Sequence, residues 1–437
     1  MIQAARRNRI AMFPWGGVLE DFLAPIGIDH VHFAETMSGG WLFGYAEALR
    51  RQGVDTVIVA LSRRIDRIER RTNPHTGTET ILLPAPSMYR ALRRWPGDTD
   101  DPGRPRFRGG RSVQDLVRYA ATPGPGVSSV LQAAGCMAIL AQEYENPRFD
   151  RLVRIGRRLG MPVFASFQGA PPPGSRIERA VRRRTLRSAA GLIVASAPEA
   201  ARLHRDYELE AGQVHAIPNP LDLDLWFPES REASRRALGL PADATVVICH
   251  GRIDLHRKGL DLLIAAWRDV VARAGPRDLR LHLIGSGQDD ARLASLLESE
   301  PVPGLRWVRR YVTDRAEMRR ELSAADLYVL PSRHEGSPVA PLEAMACGLP
   351  VVAADAPGVV DILGRQEALG GLVVAKGDAG GLSQGLWRLI ADSDLRARLS
   401  AQARPRVAAF ASLDVVGLRL ATLMGAGPVG QLGQAPP

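Results

Sequence analysis

Short apolar runs bounded by glycine, proline or charge alternate with longer amphipathic segments along the chain. In the second half, Thr245–Arg252 (TVVICHGR) and Leu279–Gly287 (LRLHLIGSG) read as buried strands. Gly259–Ala274 and Asp289–Glu300 carry apolar residues at helical spacing. LRWVRRYV, DLYVLPS and LPVVAAD read as further strands, with AEMRRELSAA a helix among them. Short strands alternating with helices imply βαβ units and a parallel sheet, an α/β fold. The first half repeats the theme more weakly. Arg9–Phe13 (RIAMF) reads as a first strand, Gly39–Gly53 as a helix opening on a glycine pair, and VDTVIVALS as a strand. GCMAILAQ, MPVFASF and AGLIVAS read as three later strands of the same sheet.

With 437 residues the chain is too long for one ordinary core, which points to two domains. Ala216–Ser230, with three prolines, reads as the joint between them. Two connections are long for a compact α/β domain, one between Phe13 and Gly39 and one over Pro96–Ser112. The Gly/Pro-rich stretch 425–437 reads as a disordered tail. A composition of 45% hydrophobic and 24% charged residues is that of a soluble globular protein. No apolar run is long enough to span a bilayer, and the basic start lacks the apolar core of a signal peptide, so a cytoplasmic protein is expected. Cys136, Cys249 and Cys347 lie scattered and indicate neither a disulfide framework nor a zinc site. The net charge of +10 favours an anionic partner. Nucleic acid is disfavoured as that partner, since aromatics make up only 5% of the chain and no recognition motif occurs.

The stretch LPSRHEGSPVAPLEAMACGLPVVAAD sets two carboxylates, Glu335 and Glu343, among small and apolar residues. A surface helix would pair them with Lys or Arg a turn away, so they are expected to face a ligand. A nucleoside diphosphate needs cations for its phosphates and a carboxylate for its ribose. Arg252 follows a strand and Lys258 precedes a helix, which sets both on the ligand-binding edge of the sheet. Gly336, Ser337, Pro338 and Val339 lead into a helix start suited to an anion. Glu343 inside that helix can accept both ribose hydroxyls, and Glu335 just before it can reach the group beyond the phosphates. Gly251, Gly285, Gly336 and Gly358 fall at strand ends, as in a site built from several loops.

Arg252, Lys258, Gly285-x-Gly287 and Glu335-x7-Glu343 followed by AMACGLPVV resemble the signature of retaining glycosyltransferases of the family-four type, the glycosyl transferases group 1, with the GT-B fold. The resemblance is strong from about Ala216 to Ala409 and holds only in outline before that. It implies two Rossmann-like domains facing across a cleft. Residues 1–218 would form the acceptor-binding domain, 219–410 the nucleotide-sugar domain, and 411–424 a helix crossing back onto the first. It implies that Arg252 and Lys258 hold the diphosphate, Glu343 the ribose and Glu335 the donor sugar, with the Gly39-Gly40 loop approaching the phosphates. It implies transfer with retention and without a metal or cofactor, from a nucleotide diphosphate sugar such as a UDP-sugar to a sugar, lipid or small-molecule acceptor. The stereochemistry is not legible in the residues themselves.

Two departures accompany the likeness. Gln168 stands where the family commonly carries a donor-contacting His, and an amide cannot carry a proton charge. The connection before Gly39 is also longer than the family's usual one. Several other features have two readings each. Asp222-x-Asp224 has the form of a metal-binding pair but sits in the joint, where two carboxylates alone hold no Mg²⁺ or Mn²⁺ well. Glu143 and Glu145, beyond a strand end, suit acceptor hydroxyls or a solvated loop. The segment Ser175–Gly191 carries six arginines and a narrow stripe of Ile177, Val181 and Leu186. It reads as a solvated surface helix, with peripheral membrane contact as the sharper alternative. A nucleotide-sugar epimerase or hydrolase on the same fold, or a non-catalytic sugar-nucleotide binder, stay open beside the transferase.

Overall fold

The computed structural model describes residues 8–23, 27–37, 40–93, 118–124, 126–365 and 367–426. Gly39, the stretch 96–112 and the tail from 427 onward therefore lie outside the described residues. Among the described residues, fourteen strands form two sheets. The first contains β1 (Arg9–Phe13), β2 (Asp55–Ser62), β3 (Glu69–Thr72), β4 (Glu79–Pro84), β5 (Ala138–Gln142), β6 (Val163–Ser166), β7 (Gly191–Val194) and β8 (Val214–Ala216), in the order β3-β4-β2-β1-β5-β6-β7-β8. The second contains β9 (Thr245–His250), β10 (Leu279–Ile284), β11 (Leu305–Val308), β12 (Leu327–Leu330), β13 (Val351–Ala354) and β14 (Gly371–Val374), in the order β11-β10-β9-β12-β13-β14. Every pairing is parallel except β3 with β4.

Both faces of each sheet are covered by helices, which is why the strands are nearly continuous apolar runs. In β9, Val246 and Ile248 enter one core and Val247 and Cys249 the other. In β1, Ala11 and Phe13 enter one core and Ile10 and Met12 the other. Strand order reverses between β1 and β5 in the first sheet and between β9 and β12 in the second. A crevice opens beyond the carboxyl ends of the strands at each such point.

Some local expectations change. The strand expected over LRWVRRYV ends at Val308, where Arg309 and Arg310 turn out toward Asp290 and Glu317. The charged edge strand β3 (ERRT) has no apolar alternation and escaped the pattern. The long connection after Phe13 contains two short helices, Glu20–Leu23 and His30–Glu35.

The basic helix is turned relative to its apolar stripe. Ile177 is 79% exposed, while Arg182 is fully buried. Asp150, on the neighbouring helix Pro147–Leu159, draws Arg182 inward with two bonds of 3.0 and 3.1 Å, supported by Glu145 at 3.6 Å and Glu178 at 3.7 Å. The remaining arginines of this helix are exposed or half-buried, so the helix presents a basic outer face while Arg182 alone of its arginines is buried.

The chain crosses between the sheets twice. The long helix Ser393–Ala411 ends where Leu221 N–H donates to the Ala411 carbonyl at 2.7 Å, and the helix Leu413–Leu423 then packs on the first domain's helix Gly40–Arg51. A Cβ on Gly417 would overlap the Ala48 carbonyl, so only glycine permits this approach. Arg51 clamps the joint by pairing with Asp224 at 2.8 Å, Asp222 at 3.8 Å and Asp414 at 3.5 Å. No described helix is long and apolar enough to cross a membrane.

Candidate active site

The second sheet's crevice holds a cavity of about 220 Å³, lined among others by Arg252, Lys258, Glu335, Ser337 and His250. Its shape follows from backbone packing. Gly285, just past β10, has φ of 145°, and a Cβ there would overlap the Gly251 carbonyl. The glycine lets the loops after β9 and β10 lie flush. Its role is thus in bringing the Arg252 loop into place.

The turn after Arg252 is held by Lys258 N–H donating to the Asp254 carbonyl at 3.0 Å. It delivers the Lys258 ammonium to both carboxylate oxygens of Glu335, at 2.8 and 2.9 Å. Glu335 is only 6% exposed, so this is a close pair in a low-dielectric setting. The chain has only two lysines, Lys258 and Lys376, against 55 arginines. A compact ammonium at this one point, where a planar guanidinium is larger and stiffer, marks the position as chemically particular. Arg252 stands exposed at the rim with no ion-pair partner among the described residues.

Glu343 lies in the helix Ala340–Ala346, which is shorter than expected and starts after Val339 rather than at Gly336. Gly336–Val339 are therefore loop residues at the cavity's edge. One Glu343 oxygen lies 2.8 Å from His250 Nε2, and both side chains are about nine-tenths buried. His250 escaped the sequence reading because it closes an apolar strand. The available signal was a titratable residue as the last side chain before Gly251 and Arg252. The neighbouring Cys249 is pushed up to about 12 by burial, so its thiol stays protonated and is no nucleophile.

The first domain meets this site at its own strand ends. A Cβ on Gly336 would come within 2.8 Å of the Gln168 carbonyl carbon and the Gly169 backbone. Gln168 is fully engaged, donating to Gln142, Ser166 and Asn219 and accepting from Asn219 Nδ2 at 3.1 Å. Asn219 in turn donates to the Ser337 carbonyl at 3.5 Å, which links the two domains through side-chain amides. Gly40 begins the helix Gly40–Arg51, while its neighbour Gly39 lies outside the described residues.

Glu143 sits at the first sheet's switch point with φ of 131°, a strained value for a side-chain-bearing residue. Its buried carboxylate accepts N–H bonds from Glu145, Gln168 and Ala170, at 2.9, 3.1 and 2.9 Å. Burial raises its pKa to about 7. Glu143 thus ties down the loop that faces Gly336, and its oxygens are committed to backbone. Glu145 is fully buried against Arg202 and Tyr207, a structural contact that removes it from the candidates for acceptor hydroxyls.

Two doubly wound domains that meet at their strand ends, with a cation-lined cavity in the second, are the arrangement of the GT-B class of sugar-transferring proteins. The chain matches the family models described as glycosyl transferases group 1, over residues 244–392, and glycosyl transferase 4-like domain, over residues 42–220. It belongs to the group 1 glycosyltransferases. It is 32% identical over 224 residues to a D-inositol 3-phosphate glycosyltransferase of Xylanimonas cellulosilytica, covering 49% of this chain and 51% of that protein. It is 33% identical over 222 residues to a GDP-mannose-dependent monoacylated alpha-(1-6)-phosphatidylinositol monomannoside mannosyltransferase of Corynebacterium glutamicum, covering 48% and 56%. The chain spans about half the length of the curated relatives it matches. HepE of Anabaena, solved in complex with UDP, shares the fold with a TM-score of 0.67 at 17% identity, over 96% of this chain and 100% of that one.

Proposed function

We propose that the protein transfers a sugar from a nucleoside diphosphate sugar to an acceptor hydroxyl or amine, with retention and without a metal. The observation that carries this reading is one cavity lined by Arg252 and the Lys258–Glu335 pair, with Glu343 and its partner His250 at its side. Arg252 and Lys258 are the cations for the diphosphate, where they stabilise the leaving group as charge develops. Glu343 takes the ribose. Glu335 orients Lys258 and faces the donor sugar, while Ser337, Pro338 and Val339 line the cavity within the second domain and Gln168 of the first domain abuts Gly336 beside it. Catalysis rests on positioning and electrostatics, since no nucleophile with an adjacent base stands in the cavity. Retention rests on the family membership. Metal independence is supported by Asp222 and Asp224, whose carboxylates are taken up by Arg51.

The acceptors in the names of the two curated relatives, an inositol phosphate and an acylated phosphatidylinositol mannoside, point to a polyol or lipid-borne acceptor here. The outer faces of the helices Pro147–Leu159 and Arg176–Arg187 support a lipid-side location. Arg154, Arg157, Arg176, Arg179 and Arg184 are exposed there beside Ile177. Such a face suits an anionic bilayer.

Calorimetry on Arg252→Ala and Lys258→Ala tests the site. Each variant is expected to weaken nucleoside diphosphate binding by roughly 1–3 kcal/mol, the loss of one charge-assisted contact. Unchanged affinity in both would remove them from the site. Turnover is expected to survive EDTA, and loss on chelation restored by Mn²⁺ would overturn the metal-free reading.

A further inference from the structure

The first sheet's switch point carries a cation that has no paired counter-ion among the described residues. Arg148 stands in the first turn of the helix Pro147–Leu159, just beyond the carboxyl end of β5, and is only 4% exposed. Its Nη2 donates to the carbonyl of Pro14, the residue that follows β1. Because β1 and β5 are neighbours in the sheet, the guanidinium spans the crevice that opens between their ends. Its Nε is buried without a hydrogen-bond partner, Nη1 makes no bond yet is not sealed, and no ion pair forms among the described residues. Arg182, on the next helix, shows the contrast, since Asp150, Glu145 and Glu178 all face it.

The setting makes this cation more costly still. The start of a helix is the positive end of its dipole. The N-cap residue Asn146 gives its own helix no side-chain bond and accepts from Arg118 Nη2 at 3.1 Å instead. Asp150, the acid of the first turn, is spent on Arg182 and Thr185. Burial pushes the pKa of Arg148 down to about 9, against the nearby charge of Glu143, whose carboxylate already accepts three backbone N–H bonds. A buried cation is costly unless it is paired. An anion entering this crevice would meet a guanidinium and an uncapped helix start together, which suits an oxyanion.

Resting on the transferase reading above, we infer that the acceptor is anionic: the first domain's crevice holds a phosphate or carboxylate group of the acceptor, with Arg148 as its counter-ion. The attacking hydroxyl or amine is a different group, so the oxyanion is a handle that orients the acceptor. It also completes the charge balance that the empty crevice lacks.

The test is scanning calorimetry on the full chain saturated with UDP, GDP or ADP, whichever raises Tm most, so that the nucleotide cavity is filled. Inorganic phosphate and acetate, the bare forms of the two oxyanions, are then titrated at constant ionic strength against chloride. At least one is expected to raise Tm saturably beyond chloride, and the stronger of the two assigns the acceptor's anionic group. Arg148→Met is expected to weaken that anion's apparent Kd at least tenfold, with Arg148→Lys recovering part of the loss. Without any anion, Arg148→Met is expected to melt no lower than the wild type, because it removes a charge that has no ion-pair partner. No response beyond chloride in the wild type, or an undiminished one in Arg148→Met, overturns the inference. So does an Arg148→Met chain that melts well below the wild type or fails to fold, since the guanidinium would then be a structural group like Arg182. Failure of the transferase reading looks different: no nucleoside diphosphate would raise Tm, whatever the anions do.

Discussion

The two domains share an architecture and treat buried charge in opposite ways. In the first, Arg182 is fully enclosed by Asp150, Glu145 and Glu178, and Arg202 is shared between Glu145 and Glu199. Those groups pair with one another across three helices, and Arg202 Nη1 among them is left without a hydrogen-bond partner. In the second, Lys258 and Glu335 pair on the wall of a cavity, Arg252 stands open beside them, and His250 retains an orphan nitrogen. Burial and pairing of charge are therefore not by themselves marks of function. The informative difference is whether the charged groups line a cavity, as Arg252, Lys258 and Glu335 do.

The sharpest test of that contrast is Arg182→Ala. Removing one member of a buried ionic set leaves the others uncompensated, and the expected loss is about 3–5 kcal/mol of unfolding free energy in urea. Nucleoside diphosphate affinity of the folded variant is expected to stay at the wild-type value. A weakened affinity would mean that the first domain's network serves the ligand after all.

Glu143→Gln probes the same domain through pH. Burial raises the folded-state pKa of Glu143 to about 7, above its ordinary value of 4.5. Between these values the folded protein keeps a proton that the unfolded chain has released. Stability from this group is thus fully present below the ordinary value and is lost as pH rises through 7. The stability difference between wild type and Glu143→Gln is expected to decline by about 3 kcal/mol over that interval and to be flat above it. A flat difference throughout would show that the three N–H bonds outweigh burial.

Gly336→Val addresses the place where the domains touch. The new side chain would run into the backbone of Gln168 and Gly169 and hold the two strand-end loops apart. Turnover is expected to fall about 100-fold, or about 2.7 kcal/mol, with nucleotide affinity nearly intact. An equal loss of affinity would place Gly336 in the nucleotide subsite instead.

The same contrast explains what could be read in advance. Arg252 and Lys258 lie six residues apart, and Glu335 and Glu343 eight apart, so local chain geometry brings each pair to one strand end. Most strands of both sheets were legible because doubly covered strands are apolar runs, whereas β3, β4, β8 and β14 went unread. Arg182 was not legible, since its partner Asp150 lies on another helix and the local period favoured Ile177, Val181 and Leu186 as the inward stripe. His250 was hidden by the opposite circumstance, a polar residue at the end of a strand whose apolar run is otherwise unbroken. The task of Glu143 depends on a backbone angle that no residue pattern encodes.

The side-by-side crossings near Leu221 and Ala411 have a mechanical consequence. Two tethers joined by a hydrogen bond of 2.7 Å act as a hinge pin. Swinging about the pin asks only for small dihedral changes, whereas sliding one half past the other would stretch one tether while slackening its neighbour. Arg51, gripping acids on both tethers, works as a catch on that pin. The molecule is thereby geared: a slight angular change at the pin becomes a larger opening at any lip farther from it. The contact between Gly336 and Gly169 is such a lip, and its separation follows from the angle at the pin.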